Sequence, residues 1–495
     1  MRLRSPWRAA LAVGATVLVA AATFFAVTVP ASAATTGPCD IYSSGGTPCV
    51  AAHSTTRALF GTYNGSLYQV RRWSDGATSN IGLLAAGGYA NAAAQDSFCA
   101  GTYCTIVRIY DQTSRHNDLT IAPGGGANPT ADQGANAAAL PITAGGHKVY
   151  GVYISAGNGY RNNATNGIAT GSAPESMYMV TEGTHYNDRC CFDYGNAETN
   201  NLDTGNGDMD AIYFGTLCWF SPCSGSNPKV MADLENGLFA GGNGSNTANT
   251  GRNSAFVTAM TKNNGTSTYA IKDGNAQSGG LATRYDGGLP TQSGYKPMTK
   301  QGAIILGIGG DNSNGSVGSF FEGVMTTGYP SDATENSVQS NIVSVGYAKN
   351  VTFPANGGTY RLTNLASGKV LDAVNCGTAN GTAIQQWNNL GNSCQQWRFN
   401  SVGANKWTIT NVNANKTLDA VNCGLALGTA VNLWQSLGNL CQQWAVIPAG
   451  NGRYELVVEN SGMVLDNQNC GTANGTKAQL WMWLNNTCQL WSFSS

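Results

Sequence analysis

The chain of 495 residues carries a formal net charge of −1, from 26 basic and 27 acidic side chains, and only 11% of its residues are charged. It has neither a basic excess nor a basic run, which excludes the electrostatic footprint of a nucleic-acid or anionic-membrane binder. Its 64 glycines, 14 cysteines and 9% aromatic residues point instead to short strands, long polar loops and aromatic faces suited to neutral, hydroxyl-rich ligands such as sugars.

Residues 1–33 read as a secretory signal peptide. Arg2, Arg4 and Arg8 precede an apolar run from Ala9 to Val29, and Ala31-Ser32-Ala33 supplies the small residues of a cleavage site. No later stretch approaches the ~20 apolar residues of a spanning helix, so the expectation is a secreted, extracellular chain with no membrane contact after cleavage. An even cysteine count in an exported chain predicts full pairing. Closeness in sequence proposes Cys39–Cys49, Cys99–Cys104 and Cys218–Cys223. The repeats described below supply three more pairs. Cys190 and Cys191 remain, either bonded to each other or left as thiols, with pairing to Cys218 and Cys223 as the rival.

From residue 34 to 351 no useful helical period occurs. Short alternating runs such as Ser176-Met177-Tyr178-Met179-Val180 and Ala303-Ile304-Ile305-Leu306 are separated by Gly, Asn, Asp and Ser. That pattern predicts an all-β, antiparallel β-sandwich. His53, His116, His147 and His185 share no metal-ligand spacing, and no Cys-x-x-Cys, nucleophile-elbow or phosphate-loop motif is present. No metal or cofactor is expected. Carboxylates are then the available catalysts, which fits glycoside hydrolysis by an acid and a nucleophile.

Two carboxylate clusters stand out. Lys229-Val230-Met231-Ala232-Asp233-Leu234-Glu235-Asn236-Gly237, read as a strand, puts Asp233 and Glu235 on one face. The bland alternative is a solvent-facing strand edge. The apolar run Gly302 to Ile308 leads into Gly309-Gly310-Asp311-Asn312-Ser313-Asn314-Gly315, where paired glycines before an acid allow a ligand close to the backbone. A calcium loop using Asp311, Ser313 and Glu322 is the weaker reading, because Ser316 stands where such a loop requires glycine.

These segments, with Gly37-Pro38-Cys39-Asp40-Ile41-Tyr42, Cys49 to Arg57, Thr184 to Thr199 and Phe321-Glu322-Gly323-Val324-Met325, resemble the catalytic domain of glycoside hydrolase family 54. The resemblance implies a concanavalin-like β-sandwich and a retaining, exo-acting α-L-arabinofuranosidase for plant cell-wall arabinoxylan or arabinan. It implies Glu235 as nucleophile and Asp311 as general acid/base. Asp233, Asn236 and the Gly310 backbone would hold sugar hydroxyls, Trp219 would form an aromatic wall, and Cys190 and Cys191 a vicinal disulfide against the sugar. The Cys218-to-Pro228 loop around Trp219 departs from the family pattern. A β-xylosidase, a dual-specificity enzyme and a non-catalytic polysaccharide lectin are the alternatives.

Residues 352–358 read as a short linker, and residues 359–495 contain a repeat with a period of 47. Leu371-Asp372-Ala373-Val374-Asn375-Cys376 recurs from Leu418 and from Leu465, and Gln395-Gln396-Trp397 recurs at Gln442 and Gln489. Each repeat pairs cysteines: Cys376–Cys394, Cys423–Cys441 and Cys470–Cys488. Closing a loop of this size stabilises by about 3 kcal/mol. The repeats resemble the ricin-type β-trefoil, carbohydrate-binding module family 13. That resemblance implies sugar contacts from Asp372, Trp387 and Gln395, from Asp419, Trp434 and Gln442, and from Asp466, Trp481 and Gln489. Trp397, Trp444 and Trp491 are read as core. With separate disulfides and a linker, the two domains are expected to behave independently, in a monomer.

Overall fold

The computed structural model describes Met1 and residues 36–495 apart from 101, 350–353, 404, 405, 451 and 485. Residues 2–33 of the expected signal peptide and residues 352 and 353 of the linker lie outside the described residues. Two large antiparallel sheets build the first domain. One has six strands, ordered Cys49–Ser54, Glu322–Thr327, Glu175–Thr181, Val257–Asn263, Thr268–Asn275 and Leu281–Gly288. The other has ten, and its middle runs Lys229–Asp233, Asp210–Gly215, Asp193–Ala197, Ala303–Leu306 and Tyr160–Asn162. Tyr178, Met179, Tyr194, Phe320, Phe321 and Met325, all fully buried, belong to the apolar core of this domain.

Glu175–Thr181, Asp193–Ala197, Asp210–Gly215 and Lys229–Asp233 are buried at every position. Buried on both faces, polar side chains on these strands are forced to find internal partners. A helix that the periodicity does not reveal spans Asp332–Ser344. Its signal lies in the cap: Ser331 accepts a hydrogen bond from Thr334 N, and Asp332 and Glu335 occupy the first turn, where the helix dipole favours acids.

The second domain is a trefoil of twelve strands. Trp397, Trp444 and Trp491 are fully buried at its centre, and their indole N–H groups donate to the carbonyls of Leu371, Leu418 and Leu465 at 3.1, 3.0 and 3.1 Å. Three tryptophans fill one core, each anchored 26 residues back in its own lobe. Each lobe is stapled by a disulfide with a Cα–Cα separation of 5.2 Å.

The two domains are not independent. Ile447, Val457, Val464, Trp483 and Leu490 of the trefoil belong to the same continuous apolar core as the sandwich. Polar links accompany it: Lys406 sits 5.4 Å from the Tyr186 ring, and Asn136 Nδ2 donates to Pro448 O at 3.0 Å and to Glu455 Oε1 at 2.7 Å. The repeat pattern hides this seam, because the outward residues of the third lobe read like ordinary alternation.

Burial pushes the Glu455 carboxyl up to about 8. An acid whose folded pKa is raised keeps its proton longer in the native state than in the unfolded chain, so stability falls as pH climbs between the two values. Thermal unfolding is therefore expected at higher temperature at pH 5 than at pH 8. Glu455→Gln should flatten that dependence, and an unchanged slope in the variant would remove Glu455 from the account.

Candidate active site

The strand Lys229–Asp233 ends at Asp233, and the chain then turns through Leu234 to Gly237. Glu235 is therefore not on the same strand face as Asp233. It takes φ 63° and Asn236 takes φ 49°, both left-handed. Such conformations cost a non-glycine residue on the order of 1–2 kcal/mol and persist only where surroundings hold them. Here Asp233 Oδ1 accepts from Glu235 N at 3.1 Å, and the Tyr295 hydroxyl donates to Glu235 O at 2.6 Å. The turn lifts the Glu235 carboxyl off the sheet and into a cavity.

Asp311 arrives from the other side, on the loop after Ala303–Leu306. Gly309 N donates to Ser313 O at 3.0 Å, Asn312 N to Gly309 O at 3.1 Å, and Ser313 N to Asp311 Oδ1 at 3.0 Å. Buried Arg161 fixes the loop from beneath, donating from Nη1 to Gly310 O at 2.6 Å and from Nη2 to Glu198 O. A Cβ at Gly310 would overlap Glu198 Oε2 and stand 3.2 Å from Glu235 Oε2, so only glycine fits there. Glu322 takes no part in this loop. Its carboxylate binds Arg57, with Nη2 at 2.6 Å, and accepts from the hydroxyls of Tyr178 and Tyr347. That removes the twelfth ligand of the calcium reading.

Cys190, Cys191, Trp219, Asp233, Glu235, Asn236, Gly310 and Asp311 line one cavity of about 90 Å³, together with Asp203, Leu238 and Ser313. Cys190 and Cys191 are bonded to each other across a cis peptide, and Cys191 N donates to Ser313 O at 3.1 Å, tying this wall to the Asp311 loop. The remaining pairs are Cys39–Cys49, Cys99–Cys104 and Cys218–Cys223. Trp219 is 49% exposed, so it is a rim residue and not a packed one. The Cys190 and Cys191 sulfurs approach Asp233 as closely as a metal ligand set would, but they are spent on each other. A larger cleft of about 520 Å³ lined by Phe60, Tyr63 and Arg115 contains no carboxylate. Chemistry, not size, selects the smaller cavity.

Sequence reasoning misses the acids behind the cavity. Asp193 and Glu198 bracket a fully buried strand, and both are 0% exposed. Asp193 pairs with Asp233, and Glu198 with Glu235, each within hydrogen-bond reach. Burial is the largest cause and raises all four; the hydrogen bond within each pair raises Asp193 and Glu235 further and offsets part of the rise on Asp233 and Glu198. The signal was present: Asp193 and Glu198 stand at the edges of an uncharged run in a chain with few charges. Tyr295, Arg161 and Asp203 carried no motif at all.

In the trefoil, Gln395, Gln442 and Gln489 are fully buried and committed to the protein. Each accepts from a backbone N–H, of Leu390, Leu437 or Leu484, and donates to the carbonyl of Asn388, Gln435 or Met482. They brace the loop from within, and Gln442 and Gln489 also lie within hydrogen-bond reach of Asp419 and Asp466. Asp372, Asp419 and Asp466 lie beside Trp387, Trp434 and Trp481, of which Trp434 is the most open at 36% exposed. The partners missed were Gln385 and Gln479, whose Nε2 atoms donate to Asp372 and Asp466 at 2.8 Å. The middle lobe has Asn432 at the matching register opposite Asp419.

Residues 38–348 match the family model described as "Alpha-L-arabinofuranosidase B, catalytic", and residues 350–495 match ricin-type β-trefoil lectin repeats. A "Probable alpha-L-arabinofuranosidase B" of Aspergillus fumigatus is 62% identical over 319 residues, covering 63% of this chain and 62% of that protein. An "Arabinofuranosidase/B-xylosidase" of Trichoderma koningii is 61% identical over 317 residues, 63% of each chain. The chain thus spans somewhat under two thirds of the length of these relatives. A solved glycoside hydrolase family 54 α-L-arabinofuranosidase, soaked with a cyclic sulfate inhibitor, superposes with a TM-score of 0.79 at 38% identity. It covers 93% of this chain and 99% of its own. Another solved arabinofuranosidase, complexed with arabinofuranosyl-α-1,2-xylobiose, aligns equally well. The catalytic match takes in more than half the sequence and every wall of the carboxylate cavity, and the chain belongs to the family of α-L-arabinofuranosidase B catalytic domains, glycoside hydrolase family 54.

Proposed function

We propose that the protein is a secreted, retaining, exo-acting α-L-arabinofuranosidase that releases terminal arabinofuranose from arabinoxylan or arabinan side chains, held on the polysaccharide by its trefoil. The observation that carries this reading is one cavity, sized for a single small sugar ring, with Glu235 and Asp311 presented from two separate loops. Asp311 protonates the leaving oxygen while Glu235 attacks the anomeric carbon. Asp311 then takes a proton from the water that opens the glycosyl-enzyme. Asp233, Asn236 and the Gly310 backbone are the groups offered to the sugar hydroxyls, and the Cys190–Cys191 bridge and Trp219 supply apolar walls. Export agrees with seven disulfides and no free cysteine, which persist in oxidising compartments. Turnover of 4-nitrophenyl α-L-arabinofuranoside tests the reading, and a total lack of it would leave only a lectin.

A β-xylosidase activity is the second reading, favoured by the double name of the Trichoderma koningii relative. Comparing paired arabinofuranoside and xyloside substrates separates the two.

Asp311→Asn should harm substrates with poor leaving groups far more than activated aryl ones, because only the former need a strong proton donor. Equal losses on both would reduce Asp311 to a sugar-binding group.

A further inference from the structure

Glu198 is the group in the site whose surroundings least explain it. Its side chain is 0% exposed, one residue beyond the strand Asp193–Ala197, and neither carboxyl oxygen meets a donor among the described residues. The nearest cation, Arg161, is spent elsewhere: Nη1 on Gly310 O, Nη2 on the Glu198 backbone carbonyl, and Nε on Asn163 Oδ1. What the Glu198 carboxyl faces is Glu235. Both Glu198 Oε2 and Glu235 Oε2 crowd the space that a Gly310 side chain would need.

Two carboxylates cannot hydrogen-bond each other, since both only accept; one must hold a proton. A second buried anion here would also stand against Asp233, Asp203 and, across the cavity, Asp311, with Arg161 as a neighbouring cation. The displacement requires Glu235 to be the anion. We propose that Glu198 is a positioning residue, a neutral carboxylic acid that donates its proton in a hydrogen bond to the Glu235 carboxylate and holds the nucleophile against the Gly310 backbone. This rests on the reading of Glu235 as nucleophile.

The proton stays on Glu198 throughout. When Glu235 bonds to the anomeric carbon and the glycosidic C–O bond breaks, the carboxylate charge is lost to the ester. When water opens the ester, the charge returns to an oxygen already facing a donor. Burial, the first cause, raises both members of the pair; the hydrogen bond between them raises Glu235 and lowers Glu198, so the pair retains one proton, which must lie on Glu198 when Glu235 attacks.

Glu198→Gln keeps a donor in place and removes the titratable proton, whereas Glu198→Leu removes the donor. The leucine variant is expected to lose about 10- to 100-fold in kcat, the range for a hydrogen bond to a charged group. The glutamine variant should stay within about threefold of the parent, because its amide still donates. In the parent, rising pH strips the shared proton, leaves two buried anions and lowers kcat/KM on an activated aryl arabinofuranoside. In Glu198→Gln the amide cannot ionise, so the alkaline limb should move to higher pH. Equal losses in both variants, or an alkaline limb that does not move in Glu198→Gln, overturn the proposal. Glu235→Gln measured alongside separates the two claims. If that variant remains active, the nucleophile reading fails. If it is inactive while both Glu198 variants match the parent in kcat and pH profile, the Glu198 inference fails alone.

Discussion

Glu235→Gln is expected to lower turnover at least about a thousandfold, equivalent to about 4 kcal/mol of transition-state stabilisation, while leaving the thermal midpoint close to that of the parent. An amide cannot form the glycosyl ester. It can still accept from and donate to the groups around it, so the left-handed turn should survive, held by the Asp233 carboxylate and the Tyr295 hydroxyl. Added azide or formate should restore turnover by attacking the open face of the anomeric carbon, giving product of inverted configuration. A variant that keeps a tenth of parental activity would falsify the nucleophile assignment.

Truncation after residue 351 should yield a sandwich that aggregates or unfolds, and not a free catalytic domain. Ile447, Val457, Val464, Trp483 and Leu490 belong to the core that continues into the sandwich. A buried side chain of this size contributes about 1.5–3 kcal/mol, so removing five subtracts on the order of 10 kcal/mol. That is comparable to the whole stability of a typical domain. Leu140, Ile142, Phe256 and Phe321, which close the seam from the sandwich side around a cavity of about 20 Å³, would face water. A soluble fragment with a cooperative transition at the parental midpoint would show that the shared core adds little.

The parts of this molecule written locally were legible in its sequence. Cysteines five, ten or eighteen residues apart find each other because short loops close cheaply, and the repeat of 47 residues places three core tryptophans by symmetry. Backbone conformation was less legible. Alternation carries Glu235 on with the strand, and nothing in Asp233-Leu234-Glu235-Asn236 announces that two residues adopt positive φ. Long-range partners were not legible. Arg161, Tyr295 and Glu198 lie 37 to 149 residues from the atoms they contact or face, and Glu455 finds Asn136 across 319 residues. In the trefoil, the repeated Gln-x-Trp glutamines drew the sugar assignment, yet each is committed to backbone groups of its own loop, and Gln385 and Gln479, which no repeat motif marked, also bond the aspartates.

The most direct test is to stop the protein during turnover of an activated α-L-arabinofuranoside, digest it with pepsin in acid and map the peptides by mass. A peptide containing Glu235 should carry one added anhydropentose, attached as an ester at that residue. An adduct on another residue, or none from a variant in which the ester is made to accumulate by Asp311→Asn, would contradict a covalent double displacement at Glu235.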